Sequence, residues 1–197
     1  MTSFIVKDGG SDFKQVDAGT YPARCIAIID LGTQHSEWQG KPIARRQAML
    51  QWELPTETIE TKDGIKPMTV SKFYTVSLSE KSNLRPDLEA WRGRAFTPEE
   101  LAGFDLNNVL DKPCMVSIIH NDKGKARVSS VAKLVKGMTV PNAFHAPFIF
   151  SLDNFDGNVF QALPEGIKKL IAQSDEYKGA FAPPEQGLGP DDGDIPF

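Results

Sequence analysis

A chain of 197 residues is long enough for one domain with a sizeable core, or for one domain with appendages. Hydrophobic residues make up 40% and charged residues 24%, ordinary for a globular protein; the longest aliphatic run, from Cys25 to Ile29, is far short of the roughly 20 apolar residues of a membrane span. The net charge of −4 hides an asymmetry, because residues 20–140 hold 17 Lys or Arg against 14 Asp or Glu while residues 141–197 hold three Lys against nine acids.

The opening stretch, through Gly9, Gly10 and Ser11, reads as a loose arm or an edge strand, with no leader-like pattern of basic, apolar and small residues. Thr20 to Leu31 is rich in Ile and Ala and predicts a long, heavily buried strand. Gly32 to Pro42 is polar and contains glycine, so a loop is expected there, carrying an isolated Trp38. Ile43 to Leu54 alternates. Ala44, Arg46, Ala48, Leu50, Trp52 and Leu54 share one face, and Arg45, Gln47, Met49, Gln51 and Glu53 share the other. Pro55 to Lys66 reads as a turn-rich loop around Asp63-Gly64.

Met68 to Leu78 alternates again, with Met68, Val70, Tyr74, Val76 and Leu78 inward and Thr69, Ser71, Phe73, Thr75 and Ser77 outward. Leu84, Leu88 and Trp91 then fall at i, i+4 and i+7, one apolar stripe of a helix. Thr97-Pro98-Glu99-Glu100 is a helix start, with Thr97 as cap and Glu100 closing a capping box. Cys114 to Asn121 and Lys125 to Lys136 predict two further strands joined through Asp122-Lys123-Gly124. Past Gly137 an extended Phe- and Pro-bearing segment leads to a short amphipathic helix at Leu163 to Ala172. From Lys178 on, Gly, Pro and acids replace apolar residues, the composition of a disordered tail.

Three strands, a helical insert and a two-strand hairpin predict a mainly β chain: a five-stranded OB-fold barrel with the insert between strands 3 and 4. The organisation expected is a barrel domain over 1–140, an extension over 141–177 that packs on the barrel or a neighbour, and a flexible acidic tail over 178–197. The Phe-rich stretch from Phe144 to Phe150 serves either a contact between copies of the chain or a brace for the barrel.

The most specific motif is the last one, Asp191-Asp192-Gly193-Asp194-Ile195-Pro196-Phe197. It offers three carboxylates, then Ile195 and Pro196, then an aromatic ring whose own α-carboxylate ends the chain. A partner protein could seat the Phe197 ring in an apolar pocket and hold the carboxylate with Arg or Lys. Asp191, Asp192, Asp194, Ile195, Pro196 and Phe197 are therefore the expected partner-binding residues.

This ending resembles the tip of bacterial single-stranded DNA-binding proteins, with Gly193 where an acid is usual. The body is similar instead to single-stranded DNA-binding proteins of tailed bacteriophages. The stretches that carry the likeness are GTYPARCIAIIDLGTQ (19–34), WELP (52–55), YTVSLSEKSNLRPDLEAWRGRAF (74–96) and LDNFDGNVFQALPEGIKKLI (152–171). The resemblance implies an OB-fold, sequence-independent binding of single-stranded DNA, and recruitment of replication or recombination proteins through the tail. An annealing or mediator protein of recombination, or an OB-fold adaptor between proteins, are the alternative readings.

Binding a single strand without sequence preference takes aromatic platforms for bases and cations for phosphates. In an OB-fold these lie on strands 2 and 3 and on the loops joining strands 1–2 and 4–5. The expected strand-binding residues are thus Trp38 and Lys41 from the first loop, Arg45 and Gln47 from strand 2, and Lys72 and Phe73 from strand 3. Lys123, Lys125 and Arg127 join them from the 4–5 hairpin. Phe73 is distinctive as one ring on a face of hydroxyl-bearing residues.

No catalytic set is visible. His35, His120 and His145 have no ligand-like spacing with one another or with the cysteines, and neither a phosphate-cradling loop nor a nucleophile elbow is present. Asp153 and Asp156 lack the remaining ligands of a calcium loop. Cys25 and Cys114 sit in apolar runs without redox spacing and are expected as buried, reduced thiols. The expectation is a non-enzymatic, cytoplasmic protein with no cofactor, no metal and no membrane contact.

Overall fold

The computed structural model describes residues 15–181. Its framework is mainly β: an open, antiparallel, six-stranded sheet with a few short helices. The first three strands are β1 (Gly19–Trp38), β2 (Lys41–Thr61) and β3 (Gly64–Thr75). Helices α1 (Leu84–Arg92) and α2 (Pro98–Ala102) and a 3-10 turn (Leu106–Val109) follow. Next come β4 (Pro113–His120), β5 (Ala126–Ala132) and the short β6 (Phe148–Phe150). The chain then forms α3 (Gly157–Ala162), α4 (Glu165–Ala172) and α5 (Asp175–Phe181). The strand order is β3-β2-β1-β4-β5, with β6 pairing β1 off that path.

Two expected loops are strand instead. Gly32 to Pro42 continues β1 to Trp38, turns at Gln39-Gly40, and enters β2 at Lys41. Both turn residues have positive φ, +50° and +75°, which suits the twist of a two-residue hairpin and explains a glycine there. Pro55 to Lys66 is the end of β2, a tight turn and the start of β3. From Thr56 to Thr61 exposed and half-buried residues alternate, but Thr and Glu fill the pattern, so no apolar periodicity betrays the strand.

The chain gathers into two compact units. Of the described residues, one holds 15–28 with Met49–Ile149, and the other holds Ile29–Ala48 with 150–181. In the first, Cys25, Leu50, Trp52, Tyr74 and Val116 meet Leu84, Leu88 and Trp91 of α1 in one apolar core. The helical stripe read from sequence is the buried one, and Trp91 donates its indole N–H to the Pro113 carbonyl at 2.9 Å. The predicted capping box at Thr97 and Glu100 forms as well. Burial pushes the Cys25 thiol up to about 12 and raises Cys114 too, so both remain protonated at neutral pH.

Strands β4 and β5 pair antiparallel, with Val116 opposite Val131 and Ile118 opposite Val128. The register slips between Ser117 and Ile118, so Ser129 is an extra residue, a β-bulge. Its carbonyl accepts the Lys72 ammonium of β3 at 2.8 Å. Strands β3 and β5 thus lie beside each other, and residues of both line one hollow.

In the second unit, α4 begins after Pro164 as expected, and α3 is an element with no counterpart among the expected ones. Phe150, Phe155, Phe160, Tyr177 and Phe181 form one aromatic cluster, with neighbouring ring centroids 4.6 to 6.1 Å apart. Helix α5 therefore continues to Phe181, past the Lys178 start expected for a flexible tail, because two of its rings have an aromatic cluster to join. Gly32 of β1 has φ +69°, and a Cβ there would lie 2.5 Å from the Ser174 Cβ. Gly32→Ala accordingly costs about 2 kcal/mol or more, from strained backbone and overpacking together, and lowers Tm by about 4–8 °C in a thermal melt.

Candidate nucleic-acid interface

The nine expected strand-binding residues divide between the two units. Trp38, Lys41, Arg45 and Gln47 belong to the second, on the far part of the β1–β2 hairpin. Trp38 and Lys41 flank the Gln39-Gly40 turn, and Trp38 is 65% exposed. Arg45 is exposed and has no ion pair among the described residues, while Gln47 is half-buried.

The adjacent Arg46 behaves differently. Its guanidinium donates to Asp30 at 2.6 Å and to Asp153 at 2.9 Å. Arg46 thus ties the second unit together, while Arg45 beside it is exposed. Asp153 is spent on that tie, and Asp156 accepts the Asn158 and Val159 N–H groups as the cap of α3.

Phe73, Lys72, Lys123, Lys125 and Arg127 lie in the first unit. Within β3 the alternation is as expected, with Met68 and Tyr74 buried and Thr69, Ser71 and Phe73 exposed; the strand ends at Thr75, short of the expected Leu78, and Val76, expected inward, is 42% exposed beyond it. Phe73 is 47% exposed, a ring on an otherwise hydroxyl-bearing row. A side-chain bond from Gln51 Nε2 to Thr69 Oγ1, 3.1 Å, ties this row to the same face of β2.

Lys72 points the other way, so it does not join Phe73. Its ammonium sits 2.7 Å from Asp87 Oδ2 and 5.2 Å from the Tyr74 ring centroid. The same Asp87 oxygen accepts the Tyr74 hydroxyl at 2.7 Å. Burial, and then the Asp87 carboxylate, push the Tyr74 phenol far up, so it stays a donor. Lys72 is thus neutralised within the fold.

The 4–5 turn is built by Asn121, whose Oδ1 accepts the Lys123 N–H at 3.0 Å and the Lys125 N–H at 2.9 Å. Both lysine side chains are left exposed, with no ion pair among the described residues. Arg127, two residues on, is exposed as well. It borders a hollow of about 270 Å³ together with Thr69 and Ser71 of the Phe73 row. On its other side it borders one of about 520 Å³ with Lys72, Asn121 and the exposed Ile119. The structure therefore brings Arg127 to the edge of the face that bears Phe73, with two further cations on the turn beside it.

Alternation places Met49 and Glu53 on the outward face of β2, yet Met49 is 5% and Glu53 2% exposed. Glu53 is covered by a strap, residues 140–145, that runs from β5 toward β6. Its carboxylate accepts the Phe144 N–H at 2.9 Å, the His145 N–H at 3.0 Å and the His145 Nδ1 at 2.7 Å. Burial alone would raise this carboxyl, but those donors outweigh it and hold Glu53 below the usual carboxylate range. Farther up the strap, Arg24 of β1 donates to the Val140 carbonyl at 2.9 Å and to the Pro141 carbonyl at 2.8 Å. A lone Glu after Trp52 was the available signal, and alternation alone assigned it to solvent.

Asp191, Asp192, Asp194, Ile195, Pro196 and Phe197 lie outside the described residues, as does the N-terminal stretch through Ser11. Among the described residues no helix is long and apolar enough to cross a membrane. The chain matches no protein-family model, and no curated protein matches it in sequence.

Proposed function

We propose that this chain is a sequence-independent single-stranded DNA-binding protein of the bacteriophage kind, acting without catalysis in the cytoplasm of a bacterial host. The observation that carries the reading is the exposed face of the first unit: Phe73 on a row of hydroxyls, Arg127 beside that row, and Lys123 and Lys125 on the adjoining turn. Rings stack on bases of any identity, and unpaired cations replace the counterions of phosphates, so this combination favours single strands without reading sequence.

The sheet path supports the matching architecture. An order of β3-β2-β1-β4-β5, with β3 and β5 side by side, is what a five-stranded OB barrel requires, and α1 lies between β3 and β4 in the chain. Trp38, Lys41 and Arg45 supply a second exposed ring with cations, on the β1–β2 hairpin. The Asp191-Asp192-Gly193-Asp194-Ile195-Pro196-Phe197 run, acidic and then apolar, offers replication or recombination proteins a docking motif.

The phosphate role of the turn is tested by salt dependence. Each phosphate neutralised on a single strand contributes about −0.7 to the slope of log K against log salt. Lys125→Gln with Arg127→Gln therefore flattens the slope by about 1.4 in anisotropy titrations of labelled oligothymidylate. A slope unchanged from the parent protein removes these two residues from the interface.

A further inference from the structure

Resting on the single-strand reading above, we propose that Phe144 is a further base-stacking platform, presented on the strand-binding face by the Glu53–Arg24 clamp. A carboxylate 2% exposed is a costly group to bury, and it persists only where its lone pairs are filled. Glu53 fills them with two backbone N–H groups of the strap and with the His145 ring. Arg24 holds the same strap by two carbonyls a few residues earlier. Both hold main chain, an anion taking N–H groups and a cation taking carbonyls, so the strap's backbone is fixed from opposite ends.

What this fixing presents is a ring that the fold does not use. Phe144 is 61% exposed, and its one ring neighbour among the described residues is His145, edge-on at 5.2 Å. A single exposed phenylalanine would need no explanation. One held rigid by a buried carboxylate does, because a preorganised ring loses little freedom on stacking.

Its position agrees. Glu53 and Gln51 share one side of β2, and Gln51 bonds Thr69, which shares the outer side of β3 with Phe73. Phe144 therefore stands over the same face of the β2–β3 hairpin as Phe73. Two rings on one face can take two bases of one strand, and Glu53 acts as a positioning residue for the second.

The full-length protein is titrated with labelled oligothymidylate as Phe144→Ala, Phe144→Leu, Phe144→Trp and Glu53→Gln, with thermal melts alongside. Phe144→Ala and Phe144→Leu are each expected to weaken binding about tenfold with Tm unchanged, and Phe144→Trp to retain affinity, since stacking needs a π face and not apolar bulk. Glu53→Gln is expected to weaken binding with the salt slope unaltered, because no phosphate contact is lost. Parental affinity in Phe144→Ala overturns the inference and leaves the single-strand reading intact, as does a loss in Phe144→Trp as large as in Phe144→Leu. Failure of the parent protein to bind single strands overturns both.

Discussion

Asp87→Ala is expected to destabilise the fold by about 3 kcal/mol and to lower Tm by about 6–12 °C. Asp87 stands in the first turn of α1, and its carboxylate gathers three donors from two strands. Oδ2 accepts the Lys72 ammonium and the Tyr74 hydroxyl, both at 2.7 Å, and Oδ1 accepts the Val131 N–H at 3.4 Å. The Lys72 and Asp87 side chains are only 18% and 13% exposed. Removing the carboxylate leaves an ammonium and a phenol little exposed to water and without their partner, and the orphaned charge dominates the cost. A rescue is expected as well. Lys72→Met in the Asp87→Ala background removes the orphan, so denaturant unfolding should show the double variant more stable than Asp87→Ala alone. A loss below about 1 kcal/mol in Asp87→Ala would mean that water replaces the carboxylate freely.

Phe73→Ala is expected to weaken single-stranded DNA binding about tenfold or more, since one base stacked on a ring contributes roughly 1–3 kcal/mol. The ring is 47% exposed and its neighbours on β3 are hydroxyls, so the fold loses little with it, less than about 0.5 kcal/mol. The signature is a change in affinity without a change in Tm, read by anisotropy titration and a thermal melt on the same samples. Loss of Tm comparable to the loss of affinity would mark Phe73 as a packing residue instead.

The sequence was readable where one face of an element is apolar and the other is not. The stripe of Leu84, Leu88 and Trp91, the Tyr74-in and Phe73-out alternation, and the capping box at Thr97 all appear as read. It was opaque where strands are polar on both faces. The ends of the β1–β2 hairpin and the Thr- and Glu-rich end of β2 carry no apolar period, and their strand character comes from pairing with neighbours. Long-range polar ties were equally hidden. Nothing local distinguishes Arg46, bound to Asp30 and Asp153, from Arg45 beside it, because the partners lie 16 and 107 residues away.

The candidate site shows the same division. Periodicity placed Phe73 and the turn cations at the surface, where they are. It could not show that Lys72, adjacent to Phe73, is consumed by Asp87, nor that Glu53 is buried beneath a strap. A charged residue within an alternating strand is assigned to solvent by pattern, and only a distant segment that supplies donors overrides this. The aromatic cluster of Phe155, Phe160, Tyr177 and Phe181 makes the same point for α5. Its helix is held by rings contributed from elsewhere in the chain, although its own composition reads as the approach to a tail.

Single-strand binding is tested most directly by fluorescence-anisotropy titration of labelled single-stranded DNA with the full-length protein, across a salt series and with unlabelled duplex and RNA as competitors. The expected result is tight binding that tolerates any sequence, weakens as salt rises and is not displaced by duplex; absence of binding even at low salt would contradict it.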